Sequence, residues 1–244
     1  MNNQIQKKGF TLIEILIATA IFATVMIIVV ATFSWAAGYN NRLKETRRVG
    51  QEVRSAMDQL TSNIRLANGA GKVTIGTATY DVGEITLMLC TTSSNSSCSI
   101  VYQNQAGRYK NDLAATTNPE GTNPISNAIL ILKANSKEAI LYRSVLVSNN
   151  NYKLTMAAKG SISNFNNLSL TGDFLASETT SLQPSEMSMQ VYFGGYCGTK
   201  LARTQQPYAE IYMIGKTLNY DKLQPIARSR FHLKTTIETR DYDI

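Results

Sequence analysis

From Ile15 to Asn41 the chain carries no charged residue, while the rest mixes polar and apolar positions as an ordinary soluble domain does. Within that run, Ile15 to Phe33 is interrupted only by Thr19, Thr24 and Thr32, which matches the roughly 20 residues a helix needs to cross a hydrocarbon core. The apolar segment of a cleaved secretory signal is shorter, roughly 7 to 15 residues, so the pattern predicts a spanning helix. Apolar residues then recur at Leu43, Val53, Met57, Leu60, Ile64 and Ala67, with Thr46 and Gly50 filling the remaining places of a three-four spacing. That spacing is a helical stripe. No proline occurs before Pro119, so one straight helix is predicted from Phe10 to about Ala67, roughly 58 residues and roughly 87 Å long at 1.5 Å per residue. Asn68-Gly69-Ala70-Gly71 is the expected stop, because glycine tolerates the left-handed conformation that commonly ends helices, with Arg65 well placed in the last turn.

After Gly71 the pattern changes to short β-rich runs: Glu84 to Cys90, Ser99 to Gln103, Ala128 to Lys133, Ala139 to Val147, Tyr152 to Met156, Met187 to Phe193, Tyr208 to Ile214 and Arg230 to Glu238. Met187, Met189, Val191 and Phe193 alternate in the strand manner. Asn/Ser/Thr/Gly-rich stretches such as Asn111 to Asn127 and Gly160 to Asn167 have the chemistry of surface loops. The predicted class is α+β, an amphipathic helix whose Leu43 to Ile64 stripe covers the apolar face of a one-sided antiparallel sheet.

Composition adds three constraints. With 43% apolar residues in 244 the chain can bury a core. The formal net charge of +7 owes much to Arg42, Lys44, Arg47, Arg48, Arg54 and Arg65, which read as a solvated helix face near anionic lipid headgroups; a nucleic-acid partner stays open with no residue to support it. Three cysteines without a CxxC pair and a single histidine, His232, argue against a Cys/His zinc site. Cys90 and Cys98 bracket the run TTSSNSS, the composition of a hairpin tip closed by a short disulfide in an oxidising compartment, and Cys197 is left over.

Glu14 stands at the edge of the apolar run, where a lone charge at membrane depth costs about 2.5 to 3.5 kcal/mol. Either it has a partner within the membrane, or it lies at headgroup level as the first-turn acid of a helix. The surrounding string KKGFTLIEILIATAIF, Lys7 to Phe22, closely resembles the type IV prepilin motif: a basic leader, Gly9 as last leader residue, Phe10 as first mature residue and Glu14 as the fifth mature residue. The resemblance implies that a prepilin peptidase cuts between Gly9 and Phe10 and methylates the new Phe10 amine. It also implies that Glu14 pairs with the N-terminal amine of a neighbouring subunit, neutralising both charges in an apolar filament core.

The implied organisation is a leader at 1–9, a membrane and filament-core helix half at 10–38, an amphipathic half at 39–68, and a periplasmic β-rich head at 69–244. The protein would then sit in the inner membrane with a cytoplasmic N-terminus, and in a filament at the cell surface after assembly. Expected partners are the peptidase, other pilin or pseudopilin subunits, the inner-membrane assembly platform and membrane lipid. The head is larger than a lean shaft pilin needs, and Ser99 to Asn111 and Arg228 to Arg240 resemble segments of large minor pilins and J-like or W-like pseudopilins. The resemblance therefore implies an accessory subunit of a type IV pilus or type II secretion pseudopilus. The alternative is a membrane-tethered binding module, an adhesin or DNA-uptake component, with the helix only as anchor.

Catalytic signals are weak. Ile214-Gly215-Lys216-Thr217 would need glycine at position 210 for a phosphate-binding loop, where Glu210 stands. Gly194, Gly195 and Gly198 read as a small-residue turn, and His232 as a structural strand residue between Phe231 and Leu233. The sequence predicts no enzyme, no cofactor and no metal.

Overall fold

The structure, a computed structural model, describes residues 11–90, 98–100, 126–148, 150–162, 165, 168–170, 179–196, 207–220, 223 and 228–239. Helix α1 runs unbroken over Leu12–Arg65, 54 residues, about 81 Å at 1.5 Å per residue. Among the described residues twelve strands follow: β1 Gly71–Ile75, β2 Ala78–Val82, β3 Ile85–Cys90, β4 Cys98–Ile100, β5 Ala128–Lys133, β6 Glu138–Ser148, β7 Asn151–Lys159, β8 Leu168–Ser169, β9 Thr179–Ser181, β10 Met187–Tyr196, β11 Tyr208–Thr217 and β12 Arg230–Glu238.

The fold is α+β, as the sequence predicts, but the sheet is not single and not one-sided. Strands in the order β4-β3-β5-β6-β7-β9 form one antiparallel sheet, β10-β11-β12 a second, and β2-β1-β8 a third. In the third, β1 and β8 run parallel. Register explains the two faces of the large sheet. Ile85, Ile131 and Ile140 lie opposite one another, as do Leu87, Ile129 and Tyr142, and both sets face α1. The alternate set, Met88, Ala128, Leu130, Leu132 and Leu141, faces a separate core closed by Val73, Val82, Phe165 and Leu168 of the third sheet and its flanks. Near-continuous apolar runs such as Ala128–Lys133, buried at every position, are what a strand covered on both faces requires.

Helix α1 joins the first two sheets. Val49, Val53, Ala56, Met57, Leu60 and Ile64 are buried, and they cluster with Met187, Met189, Val191 and Phe193 of β10 and Ile211 and Met213 of β11. Each large aliphatic or Met side chain there contributes about 1.5–3 kcal/mol on full burial. Polar ties hold the register: the Asn63 side-chain amide donates to the Tyr142 hydroxyl, and the Thr46 and Ser229 hydroxyls lie 3.1 Å apart.

Three local expectations are corrected. The buried stripe starts at Val49, and Leu43 is 37% exposed, because the sheet ends where Thr46 meets Ser229, one residue before β12. The helix ends at Arg65, capped by Leu66 at φ −91°, and neither Gly69 nor Gly71 has positive φ. These glycines serve close approach instead: a Cβ would stand 2.8 Å from the Leu132 Cβ at Gly69 and 2.4 Å from the Phe165 Cβ at Gly71. The Gly69 N–H can thereby donate to the Leu132 carbonyl at 2.9 Å. Gly194 and Gly195 are not a turn but lie inside β10. Gly195 has φ +133°, and a Cβ there would be 2.1 Å from the Tyr208 carbonyl oxygen. Strands β1, β2, β8 and β9 were not anticipated by the hydrophobic pattern.

Candidate functional site: the uncovered half of the N-terminal helix

Thr11 begins α1 as N-cap in an extended conformation, φ −77° and ψ 150°. Its hydroxyl accepts from the Glu14 N–H at 3.3 Å, while Glu14 Oε2 accepts from the Thr11 N–H at 2.9 Å and from the Thr11 hydroxyl at 3.0 Å. This reciprocal capping box satisfies donors that a helix start leaves open, and it places the carboxylate at the positive end of the helix dipole. The two readings of Glu14 thus begin from one local geometry, in which the carboxylate is held by its own first turn. The role of Thr11 was missed from the sequence, although Thr11-x-x-Glu14 carries the signal.

From Leu12 through Arg48 no residue is buried. Leu12 is 83% exposed and Phe33 76%, and the most apolar 18-residue window of α1 has a mean hydropathy of 2.7 with none of it buried among the described residues. Three threonines interrupt this surface, and each disposes of its own hydroxyl. Thr19 donates to the carbonyls of Ile15 and Leu16, Thr24 to those of Ala20 and Ile21, and Thr32 to those of Ile28 and Val29, all at 2.8–3.0 Å. Hydroxyls folded back on the preceding turn leave no unmet donor in an apolar medium. An uncovered apolar rod fixed at one end to a folded head can insert into a bilayer or bundle with other such rods.

Gly9 and Phe10 lie outside the described residues, as does Cys197. Cys90 and Cys98 are joined in a disulfide, directly opposed across the β3–β4 pair, with their Cα atoms 4.0 Å apart. His232 is on β12, exposed, with Nδ1 2.9 Å from the Tyr212 hydroxyl. The Gly215-Lys216-Thr217 string ends strand β11, and Gly215 touches Val49 and Val53 of α1 rather than opening a helix. Among the described residues no group of three His, Cys, Asp or Glu side chains is placed to hold a metal.

The family model described as the prokaryotic N-terminal methylation motif matches residues 6–30, the segment that holds the capping box and the first half of the uncovered rod. The chain therefore carries the signal of type IV pilins and pseudopilins, and a long apolar N-terminal helix followed by antiparallel sheets is consistent with the α+β pilin fold. That motif implies processing by prepilin peptidase and assembly with other pilins. No curated protein and no solved structure matches it.

Proposed function

We propose that the protein is a structural subunit, of the minor or accessory kind, in a type IV pilus or a type II secretion pseudopilus. The observation that carries this reading is the division of α1: its C-terminal half is locked in the core from Val49 onward, and its motif-bearing N-terminal half is apolar and uncovered. Prepilin peptidase removes residues 1–9 and methylates Phe10. The head stands in the periplasm, a compartment suited to the Cys90–Cys98 disulfide, and the N-terminus begins in the cytoplasm. During assembly Glu14 exchanges its local bonds to Thr11 for the Phe10 amine of a neighbour. The head displays itself on the filament and carries out no catalysis.

Two measurements test this. Intact mass of the membrane-extracted protein should give a chain beginning at a methylated Phe10. Glu14→Ala should insert and be processed as before, since the span becomes more apolar, but it should fail to enter sheared filaments, because breaking a buried pair costs about 3–5 kcal/mol. Equal recovery of Glu14→Ala and wild type in filaments removes Glu14 from assembly. If neither is found in filaments, the chain is a membrane-tethered binding module.

A further inference from the structure

Trp35 is the protein's single tryptophan. It stands where the apolar run of α1 gives way, within two turns, to Tyr39, Asn40, Asn41 and then Arg42, Lys44, Arg47 and Arg48. Positions four apart share a helix face, and the Trp35 and Tyr39 rings stack with centroids 5.8 Å apart and planes 12° from parallel. Both rings lie largely open. Trp35 is 68% and Tyr39 48% exposed, and the first buried residue is Val49.

Two stacked rings, each with one polar tip, suit the boundary between acyl chains and headgroups, where the ring body meets hydrocarbon and the indole N–H or phenol hydroxyl meets water and phosphate. The spacing along the helix supports that depth. Trp35 follows Glu14 by about 32 Å at 1.5 Å per residue, close to the roughly 30 Å of a hydrocarbon core. With the ring pair at one boundary, the capped carboxylate falls at the other, and no charge lies between them. Arg42 and Lys44, the first cations beyond Tyr39, are in reach of lipid phosphates through their long stems, whereas Arg48 pairs with Glu186 of the head at 2.9 Å. The geometry points to a lipid-headgroup docking surface formed by Trp35 and Tyr39, which fixes how deeply α1 sits in the bilayer. This rests on the reading of α1 as a membrane span.

The depth has a consequence for the head. From Trp35 to Val49 the helix rises about 21 Å, so the head is held off the bilayer by a water-exposed stalk. The polar residues from Asn40 to Arg48 are where such a stalk would need them.

Because Trp35 is the only indole, its emission reports this depth directly. The full-length protein is reconstituted at low density in vesicles of phosphatidylethanolamine and phosphatidylglycerol doped with phosphatidylcholine brominated either near the glycerol end or near the methyl end of the acyl chain. Trp35 should lose more emission to the shallow bromine than to the deep one. The double variant Trp35→Phe/Ile28→Trp, whose reporter lies about 10 Å further in, should show the reverse order. Tyr39→Ala should narrow the difference seen at Trp35, because its ring is no longer held; an unchanged difference removes Tyr39 from the surface. If Trp35 is quenched more by the deep bromine, or by neither while the position-28 reporter is quenched, the docking surface is wrong and the span stands. Trp35 emission that follows protein density and ignores bromine assigns the ring pair to a second copy of the chain instead. If neither reporter is quenched, the span reading itself falls.

Discussion

Gly215 offers a sharp test of how α1 is seated. A Cβ at this position would lie 2.3 Å from Val53 Cγ2 and 3.1 Å from Val49 Cγ1, whereas carbon atoms in contact prefer about 3.5–4.0 Å. The atoms in the way cannot swing aside: Val53 is fully buried, and a helical valine has one strongly preferred side-chain rotamer. Gly215→Ala must therefore lift α1 from β11 or force Val53 off its rotamer, an overpacking cost of about 1–3 kcal/mol. Val53→Ala alone removes buried methyls and should cost about 2 kcal/mol through lost burial and a small cavity. In the double variant the new methyl occupies the space that Val53 vacates, so the two costs should fall short of their sum by about 1–2 kcal/mol, in the range of contacting pairs. The assay is urea unfolding of the detergent-solubilised full chain, followed by near-ultraviolet circular dichroism, for wild type, both single variants and the double. Additive losses, or a Gly215→Ala protein within about 0.5 kcal/mol of wild type, would refute the close approach. A phosphate-loop role for the same glycine predicts none of this coupling.

Two further outcomes follow from the buried chemistry of the head. Burial of the Tyr142 ring, opposed by the Asn63 hydrogen bond and reinforced by the Glu138 carboxylate, pushes its hydroxyl from 10.0 up to about 12. The folded state thus holds this proton more tightly than the unfolded chain, so the contribution is complete below about pH 10 and is lost as pH rises through about 12. Its ceiling is about 3 kcal/mol at 1.36 kcal/mol per unit. Tyr142→Phe should flatten the alkaline fall in stability while costing about 1 kcal/mol at neutral pH through the lost Asn63 bond; an unchanged alkaline limb in urea titrations would disprove the assignment. Replacing both Cys90 and Cys98 by serine opens a crosslink of sequence separation 8, worth about 2–3 kcal/mol in the chain-entropy account. The loss should appear as a lower urea midpoint in oxidised samples and disappear when the wild type is reduced.

The N-terminal third was legible because its physics is local. A charge-free run is long enough to span whatever the rest of the chain does, and a three-four stripe must face a core; the Thr11-x-x-Glu14 capping box is equally local, though its signal was overlooked. Strands with uniform apolar runs or strict alternation, Ala128–Lys133 and Met187–Phe193 among them, were legible for the same reason. Tertiary structure alone decided the rest. The hydrophobic pattern does not say that the large sheet is covered twice, because a strand buried on both faces has no polar side to betray its partners. β1 and β2 turn at exposed Gly76-Thr77 and bury only Val73 and Val82 among mostly polar or half-exposed neighbours, and β8 contributes only Leu168–Ser169, pairing with a strand nearly a hundred residues earlier in the chain; a pair so distant leaves no periodicity to read. Gly69, Gly71, Gly195 and Gly215 appear in sequence as turns or motif fragments. Only the approach of Leu132, Phe165, Tyr208 and Val53 to their missing side chains shows that they are points of contact, since what excludes a Cβ there comes from elsewhere in the chain.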